Sequence, residues 1–192
     1  MTAVIVVCTG NVCRSPIAEG LLRHATEHQV AGAPITVSSA GTAGWEGSPA
    51  MTEAVEAAAE RGVDIAGHVA TRLRPGMAAD ADLVLCMAGE HRDLVVRDEP
   101  EVADRTFTLK ELVRLLEGGA RAATTPAARI AAAARARNAA PSIAHPEEDI
   151  ADPLGLPLDG YRAIASELDD WIQRLVPALF DPVSAASVTG ET

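Results

Sequence analysis

Residues 3–16 read AVIVVCTGNVCRSP, from Ala3 to Pro16. The first five residues are an unbroken apolar, largely β-branched run, the pattern of a strand buried on both faces of a parallel sheet. Ser15-Pro16 then opens a helix, with Ser at the cap, Pro in the first turn, and Ile17, Leu21 and Ala25 on one face. A strand, a tight loop and a helix make the first half of a βαβ unit, and the same alternation continues outward along the chain.

Ile35 to Ser39 reads as a second strand ending at Ala40-Gly41, and Pro49 to Arg61 as a helix stopped by Gly62. Asp82 to Cys86 is a third strand followed by a short helix over Glu90 to Val96. Thr106-Phe107 is a brief fourth strand, and Leu109 to Glu117 a helix ended by Gly118-Gly119. The expected class is α/β: an open four-stranded parallel sheet with helices on both faces. Ligands of such sheets sit beyond the C-terminal strand ends, so the loop after the first strand is the first place to look.

Residues 120–145 change character. They are Ala-rich, carry Arg121, Arg129, Arg135 and Arg137, and contain no acidic residue. A poorly amphipathic helix or a mobile excursion between Pro126 and Pro141 fits them. Its arginines are expected either to form a basic rim that steers acidic partners or to sit idle on a solvated helix. From Leu158 a strongly amphipathic helix runs through Tyr161, Ile164, Leu168, Trp171, Ile172 and Leu175. Residues 1–181 then form one domain, with 182–192 a disordered tail.

Of 192 residues, 48% are hydrophobic and only 3% aromatic, so Ala and Val must fill much of the core. The formal charge of −11 argues against nucleic acid and anionic membranes as partners. Met1 to Val7 lacks the basic flank of a signal peptide, and Cys8, Cys13 and Cys86 make a poor disulfide framework. A reducing, cytoplasmic compartment is the expectation. So is a monomer or weak homodimer.

The loop from Cys8 to Ser15 converges on an oxyanion. A turn between a strand end and a helix N-terminus points backbone N–H groups inward, and Gly10 permits the conformation this requires. Arg14 adds a planar fork able to hold two phosphate oxygens. Cys8 begins the ring, where its sulfur can face a bound phosphorus, and the Ser15 hydroxyl can donate to that sulfur while its oxygen caps the helix. Taken singly, Cys8 and Cys13 would be small buried hydrophobes. A cysteine, five residues, an arginine and Ser-Pro at one strand-to-helix junction point instead to chemistry.

These residues resemble the low-molecular-weight protein tyrosine phosphatases. The resemblance rests on CTGNVCRSP, Ser39-Ala40-Gly41, Trp45, Gly67-His68, the strand Leu83 to Met87 and Asp152-Pro153, in that order. Phe107 to Leu112, FTLKEL, is similar to the branch that contains bacterial arginine-phosphate phosphatases. The family implies a Rossmann-like sheet of four strands, no metal and no other cofactor, and a phosphorylated protein as substrate. It implies Cys8 as nucleophile, Arg14 as transition-state clamp, and Asp152 as general acid and then base. Thr9, Gly10, Asn11, Val12, Cys13, Arg14 and Ser15 form the phosphate-binding loop, held by a network of Asn11, Ser15, Ser39 and His68. Val12, Trp45 and Leu154 line the cleft.

Two positions depart from the family. Leu154 stands where an aromatic usually follows Asp-Pro, and Val12 where arginine-phosphate members carry a threonine. A missing hydroxyl costs a guanidinium more than a smaller apolar wall costs a ring, so phosphotyrosine is expected over phosphoarginine. Protein arginine phosphatase is the first alternative. A thiol-dependent arsenate reductase would need resolving cysteines beyond Cys13 and Cys86. A non-catalytic phosphoprotein-binding module would gain nothing from Cys8 or Asp152. His24 and His28 share a helix face at metal-ligand spacing, but no third ligand accompanies them.

Overall fold

The computed structural model describes residues 2–29, 34–43, 45–139 and 146–180. Four parallel strands, β1 (Thr2–Cys8), β2 (Ile35–Gly41), β3 (Leu83–Cys86) and β4 (Thr106–Thr108), pair in the order β2-β1-β3-β4. Strand β1 is central, with Cys8 opposite Gly41 and Val7 opposite Cys86. Its side chains alternate between two cores. Val4, Val6 and Cys8 join one cluster, and Ile5 and Val7 join the other. The continuous apolar run is thus the mark of a strand with no wet face.

Helices α1 (Arg14–Gln29), α2 (Thr52–Ala59), α4 (Leu109–Glu117), α5 (Pro126–Ala139) and α6 (Leu158–Phe180) pack into the larger cluster. The other face is covered by α3 (Gly89–Asp98), through Val95, and by short turns carrying Ala78, Ala81 and Val102. The open four-stranded sheet with helices on both faces is as expected. No helix among the described residues is long and apolar enough to cross a membrane.

Several boundaries differ from the sequence-based expectation. Helix α2 begins at Thr52 rather than Pro49, because Pro49 forms an isolated bridge with Val69 and Met51 N donates to Val12 O. It ends at Ala59, two residues before the expected Arg61, and the turn beyond it closes at Gly62, whose φ of 76° is the left-handed conformation that favours glycine. Ser15 lies inside α1 rather than capping it. Its oxygen accepts instead from Asn11 Nδ2.

Helix α5 confirms a helix beginning at Pro126 and overturns the basic rim. Arg129 is buried at 1% exposure and donates to Ala123 O, Ala178 O and Leu179 O, reaching the C-terminal carbonyls of α6. Arg137 lies over the Phe107 ring and donates to Thr106 O and Ala103 O. Thr106 is the first residue of β4, at the sheet end opposite the loop that follows Cys8. Arg135 lines a groove of about 600 Å³ at that same end, with Thr2, Asp82 and Asn138. Arg129 is lost to a rim by burial against the end of α6, and Arg137 by packing over Phe107 at the far end of the sheet, while Arg121 and Arg135 stay exposed. The expected tail, and the stretch 140–145, lie outside the described residues.

Candidate active site

Cys8 is the last residue of β1, and α1 begins only six residues later, so the intervening turn must be tight. Asn11 makes it possible, at φ 57°, a left-handed conformation that asparagine tolerates better than most residues. Gly41 lets β2 run beneath the turn: a Cβ there would lie 2.7 Å from Thr9 O and 2.9 Å from the Gly10 carbonyl carbon. Thr42 N and Ala43 N donate to Cys8 O and Thr9 O, stitching the turn to the strand beside it. Among the described residues, nothing accepts from the N–H groups of Gly10, Val12 and Cys13. Such a run of uncommitted amides suits an anion.

Cys8 Sγ lies 2.9 Å from Ser15 Oγ and accepts from Asn11 N at 3.3 Å. Asn11 spends its whole side chain on the site. Its Nδ2 donates to Ser15 Oγ and Ser39 Oγ, both at 2.8 Å, and its Oδ1 accepts from Thr71 N at 2.8 Å. His68 Nε2 donates to Asn11 O at 2.8 Å, which fixes the proton on that nitrogen. All four network residues, Asn11, Ser15, Ser39 and His68, therefore meet in one place. Ser39 Oγ donates onward to Glu19 Oε2 at 2.6 Å, a partner sequence reasoning did not single out.

The Arg14 side chain is buried at 5% exposure. It donates from Nη1 to Ile150 O at 3.1 Å, and from Nη2 to Thr9 Oγ1 at 3.1 Å and to Asp152 Oδ2 at 2.6 Å. Asp152 reaches it because the preceding segment is tied to the β3 end. Ile150 N donates to Met87 O, Asp149 Oδ1 accepts from Gly89 N, and Lys110 Nζ donates to the carbonyls of Glu147 and Asp149. Asp152 Oδ1 accepts from Leu154 N, the turn that Asp-Pro implied.

Trp45 and Leu154 are 44% and 45% exposed, and the Trp45 ring lies close against Gly10. Val12 differs from its expected place in the cleft. It is 3% exposed and packs in the larger core, so it offers a substrate little surface. Burial pushes the Cys13 thiol up to about 11 against the opposing pull of its Tyr161 contact at 3.6 Å. Cys86 is enclosed in the smaller core. The His24 and His28 rings sit 4.3 Å apart on an exposed stretch of α1.

One buried side chain escaped the sequence reading. His91, 2% exposed near the start of α3, places Nε2 2.9 Å from Thr9 Oγ1. Burial, and then the positive charge of Arg14, lower its pKa to about 4. Its position was readable in principle: α3 follows β3, the neighbour of β1, so its N-terminus must lie beside the first loop.

The Low molecular weight phosphotyrosine protein phosphatase family matches residues 3–128 of this chain. A protein-arginine-phosphatase of Geobacillus stearothermophilus is 35% identical over 92% of this chain and 95% of its own length. The low molecular weight protein-tyrosine-phosphatase Etp of Escherichia coli (strain K12) is 42% identical over 55% of this chain and 67% of its own. The crystal structure of a low molecular weight protein tyrosine phosphatase from T. tengcongensis superposes with a TM-score of 0.71 at 36% identity, covering 93% of this chain and all of that one. Sequence and fold agree, and the chain belongs to the low molecular weight phosphotyrosine protein phosphatase family.

Proposed function

We propose that this chain hydrolyses phosphotyrosine in proteins through a phosphocysteine intermediate. One observation carries the reading: Cys8 and Arg14 close the two ends of a single amide-lined loop, and Asp152 is hydrogen-bonded to Arg14. The Cys8 sulfur attacks phosphorus and the bond from phosphorus to the leaving oxygen breaks. Asp152 passes its proton to that oxygen. The loop amides and Arg14 hold the three equatorial oxygens, where charge collects in the transition state. The Asp152 carboxylate next takes a proton from water, whose oxygen attacks phosphorus, and the sulfur–phosphorus bond breaks to release inorganic phosphate. A bound phosphoryl group competes with Asp152 for Arg14, so substrate itself frees the carboxyl for the leaving group.

Arginine phosphatase activity is the second reading, favoured by the arginine-phosphatase relative that matches over most of the chain. Support for phosphotyrosine comes from the two exposed apolar side chains, Trp45 and Leu154, which suit an aromatic ring.

The test compares phosphotyrosine and phosphoarginine peptides, together with aryl phosphates of graded leaving-group basicity, in wild type, Cys8→Ser and Asp152→Asn. Wild type should prefer phosphotyrosine. Cys8→Ser should lose turnover but retain vanadate binding. Asp152→Asn should lose roughly 10²–10⁴-fold on the most basic leaving groups and far less on p-nitrophenyl phosphate. Faster clearance of phosphoarginine would reverse the substrate ranking, and equal losses across all leaving groups would remove Asp152 from the acid role.

A further inference from the structure

We infer that His91 is a positioning residue for the phosphate clamp, its ring holding the Thr9 hydroxyl where that hydroxyl fixes the Arg14 guanidinium. The inference rests on the reading of Arg14 as the clamp and adds to it a residue on another element. Among the described residues, three groups accept from Arg14: Ile150 O, Asp152 Oδ2 and Thr9 Oγ1. Asp152 must leave Arg14 to serve the leaving oxygen, so it cannot be the support that lasts through turnover. Thr9 is then the remaining acceptor of Nη2, the arm shared with Asp152.

A hydroxyl on a short side chain aims an arginine well only when its own rotor is fixed. His91 Nε2 fixes it at 2.9 Å. A guanidinium only donates, so Thr9 Oγ1 must accept from Arg14. The ring then either receives the hydroxyl proton, turning it away from Arg14, or donates to the second lone pair. Both arrangements pin the oxygen.

The ring stands in a demanding place for a packing residue. It is 2% exposed, and among the described residues its Nδ1 has no hydrogen-bond partner. An apolar side chain would fill the space without leaving that nitrogen unpaired. The Glu90 carboxylate, 3.5 Å from Nε2, is too distant to replace Thr9 and belongs to a side chain that is 75% exposed. The bond to Thr9 is therefore what the imidazole contributes.

The experiment measures vanadate affinity, and kcat and KM for a phosphotyrosine peptide, in wild type, His91→Phe, His91→Gln, Thr9→Val and His91→Phe/Thr9→Val. His91→Phe and Thr9→Val should each lose roughly tenfold in vanadate affinity and in kcat/KM, the scale of one hydrogen bond to a charged group. The double variant should be no worse than either single one. His91→Gln, whose amide nitrogen reaches the place of Nε2, should recover most of the loss. Thr9→Val, a near-isostere, should also shift the His91 Nε2 nitrogen resonance, a readout that stands even if His91→Phe does not fold. Wild-type vanadate affinity in His91→Phe, losses that multiply in the double variant, no rescue by His91→Gln, or an unmoved resonance would each overturn the positioning role. Wild type that neither bound vanadate nor turned over would instead overturn the clamp itself.

Discussion

Asn11 shows how much one residue of the loop carries. It has no exposed surface, holds three neighbours through its amide, and stands at a φ that few side chains accept. Asn11→Ala and Asn11→Gly remove the same hydrogen bonds, but only alanine adds the cost of the left-handed conformation, about 1–2 kcal/mol. Glycine returns part of that by enlarging the freedom of the unfolded chain. Urea denaturation should therefore rank the variants wild type, Asn11→Gly, Asn11→Ala, the last two separated by about 1 kcal/mol. The reverse order would mean that the loop relaxes out of this conformation when the amide is lost. At this scale legibility followed spacing. Cys8 and Arg14 were readable because their separation and the strand-to-helix junction imply one loop. Ser39, His68 and Asp152 were readable only through the family resemblance, since nothing local distinguishes them from ordinary turn residues. His91 carries no local signal, because its role depends on which strands are neighbours.

Helix α5 is the element that the chain's pattern described least well. Its alanines offer no apolar stripe to orient it, and its arginines read as solvated charge when counted without neighbours. In the fold Arg129 instead spans from α5 to the last carbonyls of α6, a place where a cation complements the helix dipole. Replacing it by methionine keeps the stem and removes the donors, leaving buried carbonyls unpaired. Arg129→Met should lower stability by about 3 kcal/mol in urea denaturation, while the folded protein keeps its vanadate affinity. Unchanged stability would return α5 to the role of a solvated excursion. By contrast β1, the start of α1 and the whole of α4 were legible nearly to the residue. Strand β1 is apolar on both faces, and α4 opens with Thr108 and Glu111 in a reciprocal cap before a clear apolar stripe.

Across the whole molecule, the fold serves to bring Arg14 and Asp152 together across 138 positions of sequence. Strand β1 delivers the loop, Met87 just after β3 and Gly89 at the start of α3 anchor the segment before Asp152, and α4 adds Lys110 beneath it. The chain carries a net charge of −11, yet the buried Arg14 and uncommitted amides of its site favour anions. The site's affinity for phosphate is thus local, built from donors at the sheet's C-terminal edge rather than from the field of the whole protein. The proposed chemistry is covalent: phosphoryl would pass through Cys8 and leave it with the help of Asp152. Rapid quenching of Asp152→Asn during turnover of p-nitrophenyl phosphate tests this most directly, because that leaving group needs little proton transfer while the attacking water still needs a base. Mass spectrometry of the digested protein should find one phosphoryl group on the peptide that contains Cys8, and none when Cys8→Ser is added. Continued turnover in the Cys8→Ser protein, or a phosphoryl group on any other peptide, would contradict the account.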